Sequence, residues 1–76
     1  MTERERLTLL ERQAEEAYDR MYDARSPSEA TALYSDAKEA LYGAIGIAHA
    51  LGDDETEQRL EARLAHIKAV FRSQFT

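Results

Sequence analysis

Residues 41–55 read LYGAIGIAHALGDDE. As far as Leu51 an apolar side chain returns every three or four positions, at Leu41, Ala44, Ile45, Ala48 and Leu51, which is the spacing of one helix face. Gly52 then suits the position just past a helix end, where the chain turns left-handed. Asp53 or Asp54 suits the N-cap of a following helix, and Glu55 and Glu57 suit the positive end of its dipole. A helix, a tight corner and a second helix within one short span point to helix packed on helix. The same stretch carries Gly43 and Gly46 inside the helical pattern, each at a cost of about 0.5–1 kcal/mol relative to alanine. With Ala32 and Ala50 they form an arc of small residues beside the apolar face. Such an arc lets another backbone come close. The expected neighbour is the first or third helix of the same chain, or the second helix of another copy.

Upstream, the second helix spans about 27–51. Leu33, Ala37, Ala40, Leu41, Ala44, Ile45, Ala48 and Leu51 share its main face, and Ala30, Tyr34 and Ile47 widen it. Its start is the corner ARSPSEA. Pro27 disfavours helical geometry at Ser26, so either Ser26 caps with Pro27 at the first helical position or Ser28 caps a turn later. Ser26 followed by Glu29 matches a capping box.

The first helix spans about 2–24. Leu7, Leu10, Ala14, Ala17, Met21 and Ala24 follow one another at spacings of 3 and 4, with Tyr18 beside them and Leu9 well off the stripe. The third spans about 54–73, with a narrow stripe of Leu60, Leu64, Ile67, Phe71 and Phe75. Val70 stands apart from that stripe, near Arg59, Arg63 and His66 on the wheel. No stretch alternates as a strand does. The expected fold is all-α: one domain over 1–76, an antiparallel up-down-up three-helix bundle.

Composition agrees. Three glycines, one proline and 33% charged residues are helix composition. A 76-residue chain buries only about 60% of its unfolded surface, and with no cysteine it lacks a disulfide or a cysteine-built zinc site to staple it. Helix packing or self-association is then the expected source of stability. Charge is uneven. Residues 1–25 hold seven acids and five bases, residues 26–58 seven acids and one base, and residues 59–76 one acid and four bases. The basic third helix is expected to pack beside the more acidic ones. The net −5 argues against a nucleic-acid binder, which needs a basic footprint. The longest uncharged run, 40–52, is too short and too rich in glycine and alanine to span a bilayer. No apolar run near residue 1 has the length of a secretory signal. A cytoplasmic location is the expectation.

Chemistry-bearing motifs are absent. Gly46 and Arg63 occupy the positions three before His49 and His66, so neither histidine belongs to a Glu-x-x-His pair. Glu11, Glu15 and Asp19 share a face at four-residue spacing and read as a solvated face. There is no nucleophile elbow and no phosphate-cradling loop. No set of cations projects into the core to hold a dianionic substrate. No enzyme activity, cofactor or metal is expected.

The remaining reading is a helical protein–protein interaction module, an adaptor or regulator that binds a partner protein or forms a homodimer. Its candidate surface is Leu9, Tyr22, Tyr42, Gly43, Gly46, His49 and Val70, residues that a single-chain core leaves least explained; exposed tyrosines are favoured interface anchors. The alternative is a ligand-responsive bundle with a small-molecule site near Tyr42 and His49, which share a helix face.

Overall fold

A computed structural model of the chain describes residues 1–75. It contains α1 (Glu3–Met21), α2 (Pro27–Ala50) and α3 (Asp54–Gln74), and no strand among the described residues. Pairs between helices fix the directions. Arg4 meets Asp53, Glu11 meets Arg59, Glu15 meets Arg63 and Tyr22 meets Phe75, so α1 and α3 run parallel. Tyr34 meets Phe71 and His49 meets Glu57, so α2 runs against them. The architecture is an up-down-up three-helix bundle.

Each helix start uses side-chain capping. Thr2 accepts from the Glu5 amide while the Glu5 carboxylate accepts from the Thr2 amide, a complete capping box. Ser26, extended at φ −152°, caps α2 by accepting from the Glu29 amide, and Pro27 takes the first helical position. The Glu29 carboxylate reaches one residue further than a capping box requires, to the Arg25 amide. Asp53, not Asp54, caps α3. Gly52 has φ +71°, the left-handed region that the corner demands. α1 is shorter than its apolar stripe. After Met21 the amides of Tyr22, Asp23 and Ala24 bond three residues back, to Asp19, Arg20 and Met21, and the chain tightens into the corner.

The core is wholly apolar: no polar or charged residue is buried among those described. Its bulk comes from Leu7 and Met21 of α1, Leu33, Leu41 and Ile47 of α2, and Leu60, Leu64 and Ile67 of α3. Between these lies alanine. Ala14 and Ala17 of α1 and Ala37, Ala40, Ala44 and Ala48 of α2 are all buried. α2 is the central helix and lies closest to α1. α1 and α3 stand further apart and meet through long side chains.

The two helical glycines differ. A methyl group added at Gly43 would lie 3.1 Å from Leu10 Cδ1, so here the close neighbour is α1 of the same chain. A methyl group at Gly46 would meet nothing within 4 Å. Gly46→Ala should therefore recover helix propensity without a clash and raise stability by about 0.5–1 kcal/mol. Gly43→Ala should gain less, because Leu10 must give way. Ala44→Leu should lose about 1–3 kcal/mol by overfilling the packed core. Urea unfolding followed by circular dichroism ranks the three, and a destabilised Gly46→Ala variant would contradict the open space at that position.

Candidate functional site

Two features join α1 to its neighbours: a ladder of ion pairs on one side and an open groove on the other. The ladder runs between α1 and α3. Arg63 donates to Glu15 from Nε at 2.8 Å and from Nη2 at 2.6 Å, and Arg59 donates to Glu11 from Nη1 and Nη2. Arg4 Nη1 donates to Asp53 Oδ2 at 2.7 Å. Glu11 and Glu15, expected on a solvated face, are thus cross-helix partners. They stand one turn apart on α1, as Arg59 and Arg63 do on α3, so the parallel helices bring two pairs into line. The Arg63 guanidinium also lies 4.9 Å above the Tyr18 ring.

Beside the ladder runs an aromatic string. The buried Tyr18 shares a hydrogen bond with Tyr22 (3.0 Å between hydroxyls). Tyr22 meets Phe75 edge-on, and Phe75 stacks along Phe71, which stacks on Tyr34 at 3.9 Å. The hydrogen bond to Tyr22, and then burial, raise the Tyr18 pKa above the ordinary phenol value.

On the far side of α1 is an open groove of about 460 Å³ between α1 and α2. Its floor is Leu10, Ala17, Leu33 and Ala40. Its α1 wall is Gln13, Glu16 and Arg20, and its α2 wall is Asp36 and Glu39. The walls follow from packing two antiparallel helices through their alanines: residues that flank each apolar stripe end up facing one another. Each flank is legible in the sequence, but their pairing needs the register.

The sequence-derived candidates do not gather on one face. Leu9, 37% exposed, lines a shallow groove confined to the N-terminal part of the chain, with Met1, Arg4, Glu5, Thr8 and Arg12. Tyr42 and His49 lie on the α3-facing edge of α2. Lys68 comes within 5.5 Å of the centre of the Tyr42 ring, and its ammonium lowers the Tyr42 pKa, by hydrogen bonding first and by charge second. His49 Nδ1 lies 3.2 Å from Glu57. Neither residue lines either of these grooves. Tyr22, half exposed, belongs to the aromatic string. Gly43 packs on Leu10, and Gly46 faces open space. Val70 is partly buried, packed against the core.

Among the described residues, no group of three or more histidine, aspartate or glutamate side chains is arranged to hold a metal ion. Among the described residues no helix is long and apolar enough to cross a membrane. Comparison with protein-family models, with curated proteins and with solved structures yields no match to this chain.

The ladder has measurable consequences. A double-mutant cycle on Glu15 and Arg63, with alanine at each, should give a coupling of about 0.5–1 kcal/mol, the upper end for solvent-touching pairs, and should shrink in high salt. Zero coupling at low salt would remove the ladder from the stability of the fold.

Acid should also act here. Hydrogen bonds from Arg4 and Thr56 bring Asp53 from 3.8 down to about 2, and the Arg59 hydrogen bond lowers Glu11 from 4.5. Both folded pKa values lie below the unfolded ones, so the stability they contribute is complete above about pH 4.5 and is lost as pH falls toward about 2. Urea midpoints across that range should fall with pH. The fall should be smaller in Asp53→Asn, which keeps a capping side chain but drops the charged pair with Arg4.

Proposed function

We propose that this chain is a small helical protein-interaction module, an adaptor or regulator that acts by occupying a partner protein. The observation that carries this reading is the groove between α1 and α2. α3 covers the opposite side of that helix pair and leaves this side open. An apolar floor between two antiparallel helices is the shape that receives another helix, anchored by side chains one and two turns apart. Exposed polar walls flank a floor of which Leu10 is the most open part, an arrangement that favours reversible contact. A chain with no cysteine suits the reducing cytoplasm.

The test is occupancy of the groove. Gln13 is exposed on the α1 wall, so Gln13→Trp should fill the groove while leaving the fold intact. Helicity and thermal midpoint should match the parent chain. A partner protein captured by the parent chain should lose at least tenfold in affinity for the variant. Light scattering over a range of concentrations shows whether self-association shares this face. Full partner binding by a folded Gln13→Trp chain would exclude the groove as the working surface.

A further inference from the structure

On the side away from the groove, where α2 meets α3, the fold brings cations together without an acid between them. Lys38 of α2 and Lys68 of α3 are both partly buried, and both ammonium groups act on the Tyr42 hydroxyl, Lys68 by hydrogen bonding and charge and Lys38 by charge. Lys38 Nζ lies 4.4 Å above the Tyr34 ring, which is itself stacked on Phe71, and Lys68 Nζ lies 5.5 Å from the centre of the Tyr42 ring. Aromatic faces hold these side chains where carboxylates hold Arg59 and Arg63. Among the described residues neither lysine has an ion-pair partner.

Other exposed cations are placed differently. Arg12 has Glu15 and Glu16 three and four positions on, Arg20 has Glu16 and Asp23, and Arg25 has Glu29. Lys38 has Tyr34, Ser35, Leu41 and Tyr42 at the equivalent positions. Lys68 has Leu64, Ala65, Phe71 and Arg72. In a chain with fifteen acids and ten bases, two helices thus deliver a lysine each to one hydroxyl, with no acid in reach along either helix. We infer that this face is a second docking surface, for an acidic segment of another protein whose carboxylates pair with Lys38 and Lys68 on either side of Tyr42.

The chemistry of the face selects that occupant. An ammonium group is a compact point charge that takes single oxygens, without the fixed fork by which arginine matches a planar group. Tyr42, 52% exposed between the two lysines, offers the segment a ring and a hydroxyl, and exposed tyrosines are favoured anchors. Neither groove described above reaches Lys38, Tyr42 or Lys68, so a small anion would be held from one side only. A segment carrying several carboxylates spans both lysines at once. The basic area is too short for a nucleic-acid backbone: Glu39 follows Lys38 directly, and Glu61 stands two turns before Lys68 on α3. Two copies of the chain joined through this same face would set lysine against lysine.

The experiment titrates the full chain with a short glutamate-rich peptide and with its glutamine analogue, followed by fluorescence anisotropy and by amide NMR. The glutamate peptide should bind more tightly, rising salt should weaken it, and the amide resonances that move should fall within 38–42 and 65–72. Lys38→Gln with Lys68→Gln should lose about fivefold in affinity, the scale of two solvent-touching pairs. Lys38→Arg with Lys68→Arg should keep it. Arg12→Gln with Arg20→Gln, an equal charge change on α1, should also keep it, which separates the face from the net charge of the chain. Binding should survive Gln13→Trp. If Gln13→Trp abolishes it, the peptide occupies the groove, and the second surface falls while the interaction-module reading stands. Equal binding of the glutamine peptide, full binding by a folded Lys38→Gln, Lys68→Gln chain, or no binding at millimolar peptide overturns the inference. Tighter binding of single-stranded oligothymidylate would overturn it in favour of nucleic acid. Self-association lost on the same lysine change would overturn it in favour of a second copy.

Discussion

Buried alanines set the distance between α1 and α2, and that distance decides how much core so short a chain can make. With Ala14 and Ala17 facing the alanine-rich side of α2, the two backbones come close enough for the scattered leucines to close over the seam. Dispersion contacts fall away steeply with separation, so a small core gains more from close approach than from a few larger side chains held apart. The rest of the architecture follows from that seam. α1 and α2 form a tight pair, and α3 adds to one side of it with Leu60, Leu64 and Ile67.

α3 is held differently, and its charge explains how. It stands far enough from α1 that small residues cannot bridge the gap, so arginine does, using its long apolar stem and its planar fork. Arg59 and Arg63 are therefore held within the fold by Glu11 and Glu15 of α1, while Lys68 meets Tyr42 of α2. The remaining acid is spread over the surface, with Glu16, Asp36 and Glu39 around the groove and Asp54, Glu55 and Glu61 on α3.

Much of this was legible in the residues themselves. The 3–4 spacing of Leu7, Leu10, Ala14, Ala17 and Met21, the Pro27 corner and the Gly52 corner specify three helices and their order. What stayed hidden depends on register between distant segments. Glu11 and Glu15 look solvated on a wheel because their partners are 48 residues away. Val70 stands off the α3 stripe on a wheel yet is partly buried against the core. The groove joins Gln13 and Arg20 to Asp36 and Glu39, which no local pattern connects. α1 ends before its apolar stripe does because the corner draws its last residues into tighter turns. The small-residue arc divides in the same way: Gly43 is accounted for by Leu10, while Gly46 has no neighbour that requires it.

The parallel course of α1 and α3 has a mechanical meaning. Glu3 and Phe75 lie toward opposite ends of a body 38 Å long. Tension applied through the two ends would run along the helix axes and not across them. The arginine–carboxylate rungs would then be loaded in shear, several at once, instead of opening one after another like a zipper. A tether carrying this chain would meet stiffness along its length, while the same rungs, pulled from the side, would yield singly.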